Sequence, residues 1–338
     1  MAPPQAAASL IAAGNALGLT REELLAALLE TPSEPTRDLP TVAEYTPKVR
    51  AASRAGSLRT YGAYWAKFEA EFGTRRLDEF TVTDLRAFIE KVRLGSLRRR
   101  GSIDGAGAAE NAIGALRRLF TCAMDDGYVL ANPALKIPKP ARHPSRRRAL
   151  SDEELTALAQ ATQTRSKDPG LDLLLMRFHL EAGARRGGAL ALTGADLDRT
   201  HARVRLHEKG GTAWWQPVSP TLIAALVAHA EARGTLAADQ PVFYLSSGTP
   251  LPSRHYDTLY RYWRRECPWA DTNLVSAHWL RHTTATKIER KYGRAVAHRF
   301  LRHSGGDVTD GYVKATEGDL ARAVQWLTGE THPLSSHD

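Results

Sequence analysis

The sequence has only two cysteines, Cys122 and Cys267, far apart in 338 residues, so neither a disulfide framework nor a cysteine-based zinc site is available. That scarcity suits a reducing cytoplasm. No run of about 18 apolar residues occurs anywhere, and the opening M-A-P-P-Q-A-A-A-S-L lacks the basic region that begins a secretory signal. Secretion and membrane spanning are therefore not expected. Internal repeats and low-complexity tracts are missing too. Acidic residues are in deficit: 46 Lys and Arg face 37 Asp and Glu, a formal charge of +9. A polyanion is the first partner to consider.

Most of the chain carries helical periodicity. Residues 1–50 read as an appendage in which Thr20 and Glu23 form a capping box, opening a helix with the stripe Leu24, Leu25, Leu28 and Leu29. The proline-broken T-P-S-E-P-T-R-D-L-P follows as a linker. A helical domain is expected over 51–135. In it Leu58, Tyr61, Trp65, Phe68 and Phe72 share one face, a second helix from Thr83 turns Leu85, Phe88, Ile89 and Val92 inward, and a third over 107–125 carries Ile113, Leu116, Leu119 and Phe120. Between the second and third lie Arg98, Arg99 and Arg100, either a solvated loop or a clamp on a phosphate backbone. Residues 136–150 form a basic linker kept extended by its prolines. Its Lys136, Lys139, Arg142, Arg146, Arg147 and Arg148 would track phosphates; an ordinary exposed hinge is the competing reading.

A second domain is expected over 151–330, opened by the capping box of Ser151 and Glu154. A buried helix over 171–180 leads into E-A-G-A-R-R-G-G-A-L-A-L. Residues 201–218 read as a β-hairpin with Lys209 at or beside its tip. Helices over 221–233 and 256–265 flank a short strand V-F-Y-L. A further helix puts His278 and Arg281 on one face, with His303 in the next helix and Tyr312 in its exit loop. Two cation or donor positions, another imidazole and a phenol suit chemistry on a phosphodiester. Taken singly, each has an ordinary reading as a surface pair, a turn lysine, a helix-end histidine or a packing tyrosine. His278 and His282 have zinc-ligand spacing, but Trp279 stands where a metalloprotease helix carries Glu, so no metal is expected. Beyond Tyr312, Leu320, Val324 and Leu327 line one face of a short helix, and 331–338 read as a disordered tail.

These motifs in this order (G-A-R-R-G-G-A-L-A-L, E-K-G-G, H-W-L-R-H-T, L-R-H-S and G-Y) make residues 55–325 resemble the tyrosine recombinase, or phage integrase, family. The resemblance implies a mainly α fold with a small β-hairpin or sheet: a helical core-binding domain joined to a mixed α/β catalytic domain, closing as a C-shaped clamp on double-stranded DNA. It implies that Tyr312 attacks the scissile phosphate, forming a 3′-phosphotyrosyl bond and releasing a 5′-hydroxyl. Arg185 and Arg281 would hold the non-bridging oxygens, and Lys209 would protonate the leaving oxygen. His278 would assist proton transfer from the tyrosine or bind phosphate, and His303 would hydrogen-bond a phosphate oxygen. The covalent intermediate conserves bond energy, so no cofactor is implied. It further implies a homotetramer on two recombination sites, passing through a Holliday junction and exchanging the C-terminal helix between subunits. Packing of that helix on its own domain is the alternative.

Four positions depart from the family pattern. Gly188 stands where a carboxylate is usual, and Trp214 with Trp215 replace a more polar hairpin return. Arg302 replaces a small residue and reads as an added DNA contact. Gly188 keeps open a DNA-binding protein of impaired catalysis; a type IB topoisomerase is the alternative enzyme.

Overall fold

The computed structural model describes residues 20, 39–96, 104–141, 147–207, 211–302 and 315–335. The chain divides into two compact units, Met1–His143 and Pro144–Asp338.

The first unit contains helices α1 (Val42–Ala51), α2 (Ala55–Phe72), α3 (Val82–Ser96) and α4 (Ala106–Asp125). The last three lie where the periodicity puts them. Phe68 is their common centre, with its ring 5.0–5.1 Å from those of Phe72, Phe80 and Phe88. The buried Trp65 indole N–H donates to the Ala115 carbonyl at 2.9 Å, which binds α2 to α4 and satisfies the ring's one polar atom.

Helix α1 falls in the stretch read as an appendage and linker, and Pro47 lies inside it. A capping box of Thr41 and Glu44 starts it, and Val42, Tyr45 and Val49 enter the aromatic core. Pro47 is exposed on the opposite face, where its lost backbone donor is tolerated. The helical body therefore begins near residue 42 rather than 51. Its other end also extends further than the linker expected from 136. Arg117 donates to the carbonyls of Ala134 (3.2 Å) and Ile137 (2.7 Å), and both of those residues are buried.

In the second unit the order is α5 (Asp152–Arg165), α6 (Pro169–Ala182), α7 (Arg186–Leu190), β1 (Leu197–Asp198), β2 (Arg203–His207), β3 (Ala213–Pro217), α8 (Pro220–Ala232), α9 (His255–Glu266), α10 (Pro268–Thr272), α11 (Ala277–Tyr292), α12 (Arg294–Leu301) and α13 (Glu317–Thr328). The strands form an antiparallel sheet in the order β1-β2-β3, with Val204 opposite Gln216 and Leu206 opposite Trp214. The expected strand V-F-Y-L joins no ladder. Thr193 and Pro241, and Tyr244 and Pro250, form isolated bridges instead, since prolines at both places supply no backbone donor.

Helix α6 is the hub. Helices α5, α7, α8, α11 and α13 all pack on it, which explains why both faces of its L-D-L-L-L-M-R-F-H-L run are apolar. Helix α13 lies back on its own unit against β3, α12 and α6, burying Leu320, Ala321, Ala323 and Val324. The described residues after it, up to 335, are anchored, where a loose tail was expected from 331. Glu330 accepts from the Thr221 backbone N–H at 3.0 Å, and buried His332 contacts the Ala202 carbonyl through Nε2, also at 3.0 Å.

Candidate active site

Helix α6 ends at Gly183 in the left-handed region, φ 54°. The Phe300 ring packs so closely there that a Cβ would collide with it, so only glycine fits. Past the turn Ala184 stays buried and Arg185 leaves the core, starting α7 with its side chain exposed. Beneath it, His179 holds the turn. Its Nδ1 lies 2.9 Å from the Ala184 carbonyl, which can only accept, so Nδ1 carries the proton. Its Nε2 then accepts from the Tyr256 hydroxyl at 2.8 Å. Complete burial lowers the His179 pKa to about 4, so the ring is neutral.

Helix α11 supplies the facing wall. Arg281 is only 2% exposed, and its guanidinium donates to the carbonyls of Gly183 and Leu301. One turn earlier, His278 is exposed at the surface of the same wall. Desolvation of its ring, followed by the charges of Arg147, Arg281, His282 and Arg185, lowers its pKa to about 4. At neutral pH a proton-accepting imidazole thus sits among cations, an arrangement suited to a phosphate and to a hydroxyl that must lose its proton. His282 is lowered as well, by burial and by Arg147.

The described residues thus bring together Arg185, His278, Arg281 and, from the linker, Arg147. Lys209, His303 and Tyr312, together with Arg98, Arg99, Arg100, Arg142 and Arg146, lie outside them. Of the remaining basic positions, Lys136 is exposed, Lys139 is 3.6 Å from Glu110, and Arg148 makes two 2.6 Å bonds to Glu154. Arg302 is a correction. It is only 9% exposed and donates to main-chain and amide oxygens inside the unit, so it is not a surface contact for DNA. Its left-handed backbone, φ 51°, turns the side chain inward.

Gly188 is buried. A Cβ there would lie 3.9 Å from the His207 carbonyl and from Leu206, an ordinary contact distance. A different buried carboxylate, Asp196, serves the hairpin, receiving Arg205 Nε at 2.8 Å and His207 Nε2 at 2.9 Å. The two tryptophans carry cations. Arg299 stands 5.5 Å over Trp214, which is 43% exposed, and Arg203 stands 4.7 Å over Trp215. His179, Tyr256 and Asp196 escaped the sequence reading. For His179, a titratable residue inside an otherwise apolar helix was the available signal. Among the described residues, no three His, Cys, Asp or Glu cluster in a way that could hold a metal, and no helix is long and apolar enough to cross a membrane.

The model of the phage integrase family matches residues 148–318, half of the chain, a span that includes Arg185, His278 and Arg281. The chain belongs to the phage integrase family. It is therefore a tyrosine recombinase, a DNA strand-breaking and rejoining enzyme. Among solved structures, a lambda integrase dimer bound to a COC′ core site superposes with TM-score 0.60 at 17% identity, covering 82% of this chain and 98% of that one. A lambda integrase tetramer bound to a Holliday junction gives TM-score 0.60 at 16% identity, with coverage of 87% and 88%. The Tn1549 transposon integrase in complex with circular intermediate DNA gives TM-score 0.60 at 16% identity, with coverage of 84% and 98%. At these identities the likeness speaks for the fold. No curated protein matches the recombinase.

Proposed function

We propose that this recombinase acts at a specific duplex DNA site through a covalent phosphotyrosine at Tyr312. The supporting observation is the convergence of exposed Arg185 and buried Arg281 on one glycine turn, with His278 neutral beside them. Planar guanidinium groups match the non-bridging oxygens of a phosphodiester and stabilise the charge that builds during attack. His278, uncharged at pH 7, takes the tyrosine proton or binds the phosphate, and His303 donates a hydrogen bond to a phosphate oxygen. Lys209 protonates the departing 5′-oxygen. The bond energy is kept in the phosphotyrosine, so religation consumes no nucleotide.

In this reading the helical unit also binds the duplex, with Lys136, Lys139, Arg142, Arg146, Arg147 and Arg148 following its phosphates and Arg98, Arg99 and Arg100 adding to the grip. Two bound sites pair in a tetramer and pass through a Holliday junction. Exchange of α13 between subunits would require its release from β3, α12 and α6 of its own unit. A cytoplasmic setting accords with the free Cys122 and Cys267.

The test is covalent trapping on a nicked suicide duplex carrying the recombination site, taken from DNA flanking the gene. Wild type forms a denaturation-resistant protein–DNA adduct without added metal, and Tyr312→Phe forms none. Binding without an adduct, on a site independently shown to be correct, would overturn the reading.

A further inference from the structure

Arg302 is unusual on two counts. It occupies the left-handed region, φ 51° and ψ 44°, where residues other than glycine, asparagine and aspartate are seldom found. It also brings a guanidinium into the interior, at 9% exposure. A backbone that disfavours the residue, combined with a buried cation, persists only where the side chain's own contacts over-determine it.

Those contacts join separate segments. Nη2 donates to the Gly183 carbonyl at 2.9 Å; Nη1 is shared among Gln216 Oε1 at 2.6 Å, the Phe300 carbonyl at 2.9 Å and the Ala182 carbonyl at 3.2 Å. Ala182 and Gly183 end α6 and lead directly to Arg185. Gln216 is a fully buried residue of β3, and Phe300 lies at the end of α12. The Gly183 carbonyl also receives Arg281. One oxygen therefore carries two guanidinium groups, one belonging to the candidate phosphate site and the other standing behind it.

We propose that Arg302 is a positioning residue for strand cleavage. By fixing the Gly183 carbonyl on which Arg281 rests, and tying it to β3 and α12, it sets the placement of Arg185 relative to Arg281. The proposal rests on the assignment of Arg185 and Arg281 to the scissile phosphate. A misplacement of about 1 Å between two such groups costs on the order of 100-fold in rate, which a fixed anchor prevents.

The decisive variant is Arg302→Gly, because it removes the guanidinium while relieving the left-handed backbone, so loss of function cannot be ascribed to new backbone strain. Adduct formation on the nicked suicide duplex is followed over a range of DNA concentrations for wild type, Arg302→Gly, Arg302→Lys and Gln216→Ala. Amide hydrogen exchange is measured over 183–187. The expected result for Arg302→Gly is a rate at saturating DNA lower by about 100-fold, with the half-saturating DNA concentration within about threefold of wild type. Arg302→Lys recovers part of the rate, and Gln216→Ala loses a smaller part. Exchange over 183–187 accelerates in Arg302→Gly.

An unchanged rate at saturation would overturn the proposal. So would a defect confined to the half-saturating concentration, which would make Arg302 a DNA contact. Should Arg302→Gly fail to fold, Gln216→Ala decides, and an unaltered saturating rate there overturns the idea. If wild type itself forms no adduct, the phosphotyrosine reading fails separately. The exchange data then judge the anchor alone: faster exchange in Arg302→Gly upholds it and unchanged exchange overturns it.

Discussion

Arg281 donates to the carbonyl oxygen of Gly183, which lies far upstream in the chain and just before Arg185. The two arginines assigned to the phosphate thus share a mechanical link through one peptide oxygen. Arg281→Lys keeps the charge but loses the fork that reaches Gly183 and Leu301 together. Adduct formation at saturating DNA should fall by about 100- to 1,000-fold, the scale for loss of a transition-state donor, while DNA affinity stays within about threefold. Gel-shift titration beside single-turnover trapping measures both. An affinity loss matching the rate loss would refute the assignment.

His179 makes stability depend on pH. Its folded pKa of about 4 lies below the ordinary 6.5, so across that interval the unfolded chain binds more protons. Stability is complete above pH 6.5 and declines as the pH falls toward 4. The decline amounts to roughly 3 kcal/mol if His179 acts alone. Urea unfolding at pH 7 and pH 5 should show about 2 kcal/mol of it, and His179→Gln should reduce the dependence, leaving the part contributed by His278 and His282. An identical slope in the variant would count against the assignment.

The two glycines beside the site should respond oppositely to a methyl group. Gly183→Ala places a Cβ against the Phe300 ring in a left-handed conformation and should cost more than about 2 kcal/mol. Gly188→Ala, inside α7 with room around it, should gain about 0.5–1 kcal/mol from helix propensity and leave adduct formation intact. Thermal unfolding of the two variants separates them.

The aromatic core of the helical unit gives a stability prediction remote from the chemistry. Phe68 is fully buried among Phe72, Phe80, Phe88 and Phe120. Phe68→Ala should destabilise by about 3–5 kcal/mol, the usual range for an aromatic truncation that leaves a cavity. Urea unfolding of the full chain reads this out, and a loss below about 1 kcal/mol would mean that the site collapses without a void.

Much was legible in the sequence because it depends on short-range order. The stripe through Trp65 and Phe68, the capping box of Ser151 and Glu154 and the hairpin pairing His207 with Ala213 are all set by residues within a turn or a strand of one another. The order of the motifs identified the family for the same reason. Helix α1 was also written locally, in Val42, Tyr45 and Val49, but it sits in the stretch read as an appendage, and only burial against α2 and α4 makes it part of the helical unit. Other features belong to no local pattern. Arg302 lies beside a motif histidine and reads as one more surface cation, yet it is buried because Ala182, Gly183 and Gln216, remote in sequence, present oxygens around it. His179 looks like one polar residue in an apolar helix, and it becomes the support of the Arg185 turn only when α9 brings Tyr256 against it. Periodicity and motif spacing determined the family, the helices and the chemistry to expect. Which charged groups face a phosphate and which hold the frame was decided by tertiary packing, because the cost of burying a polar group depends on partners that come together only when the chain folds.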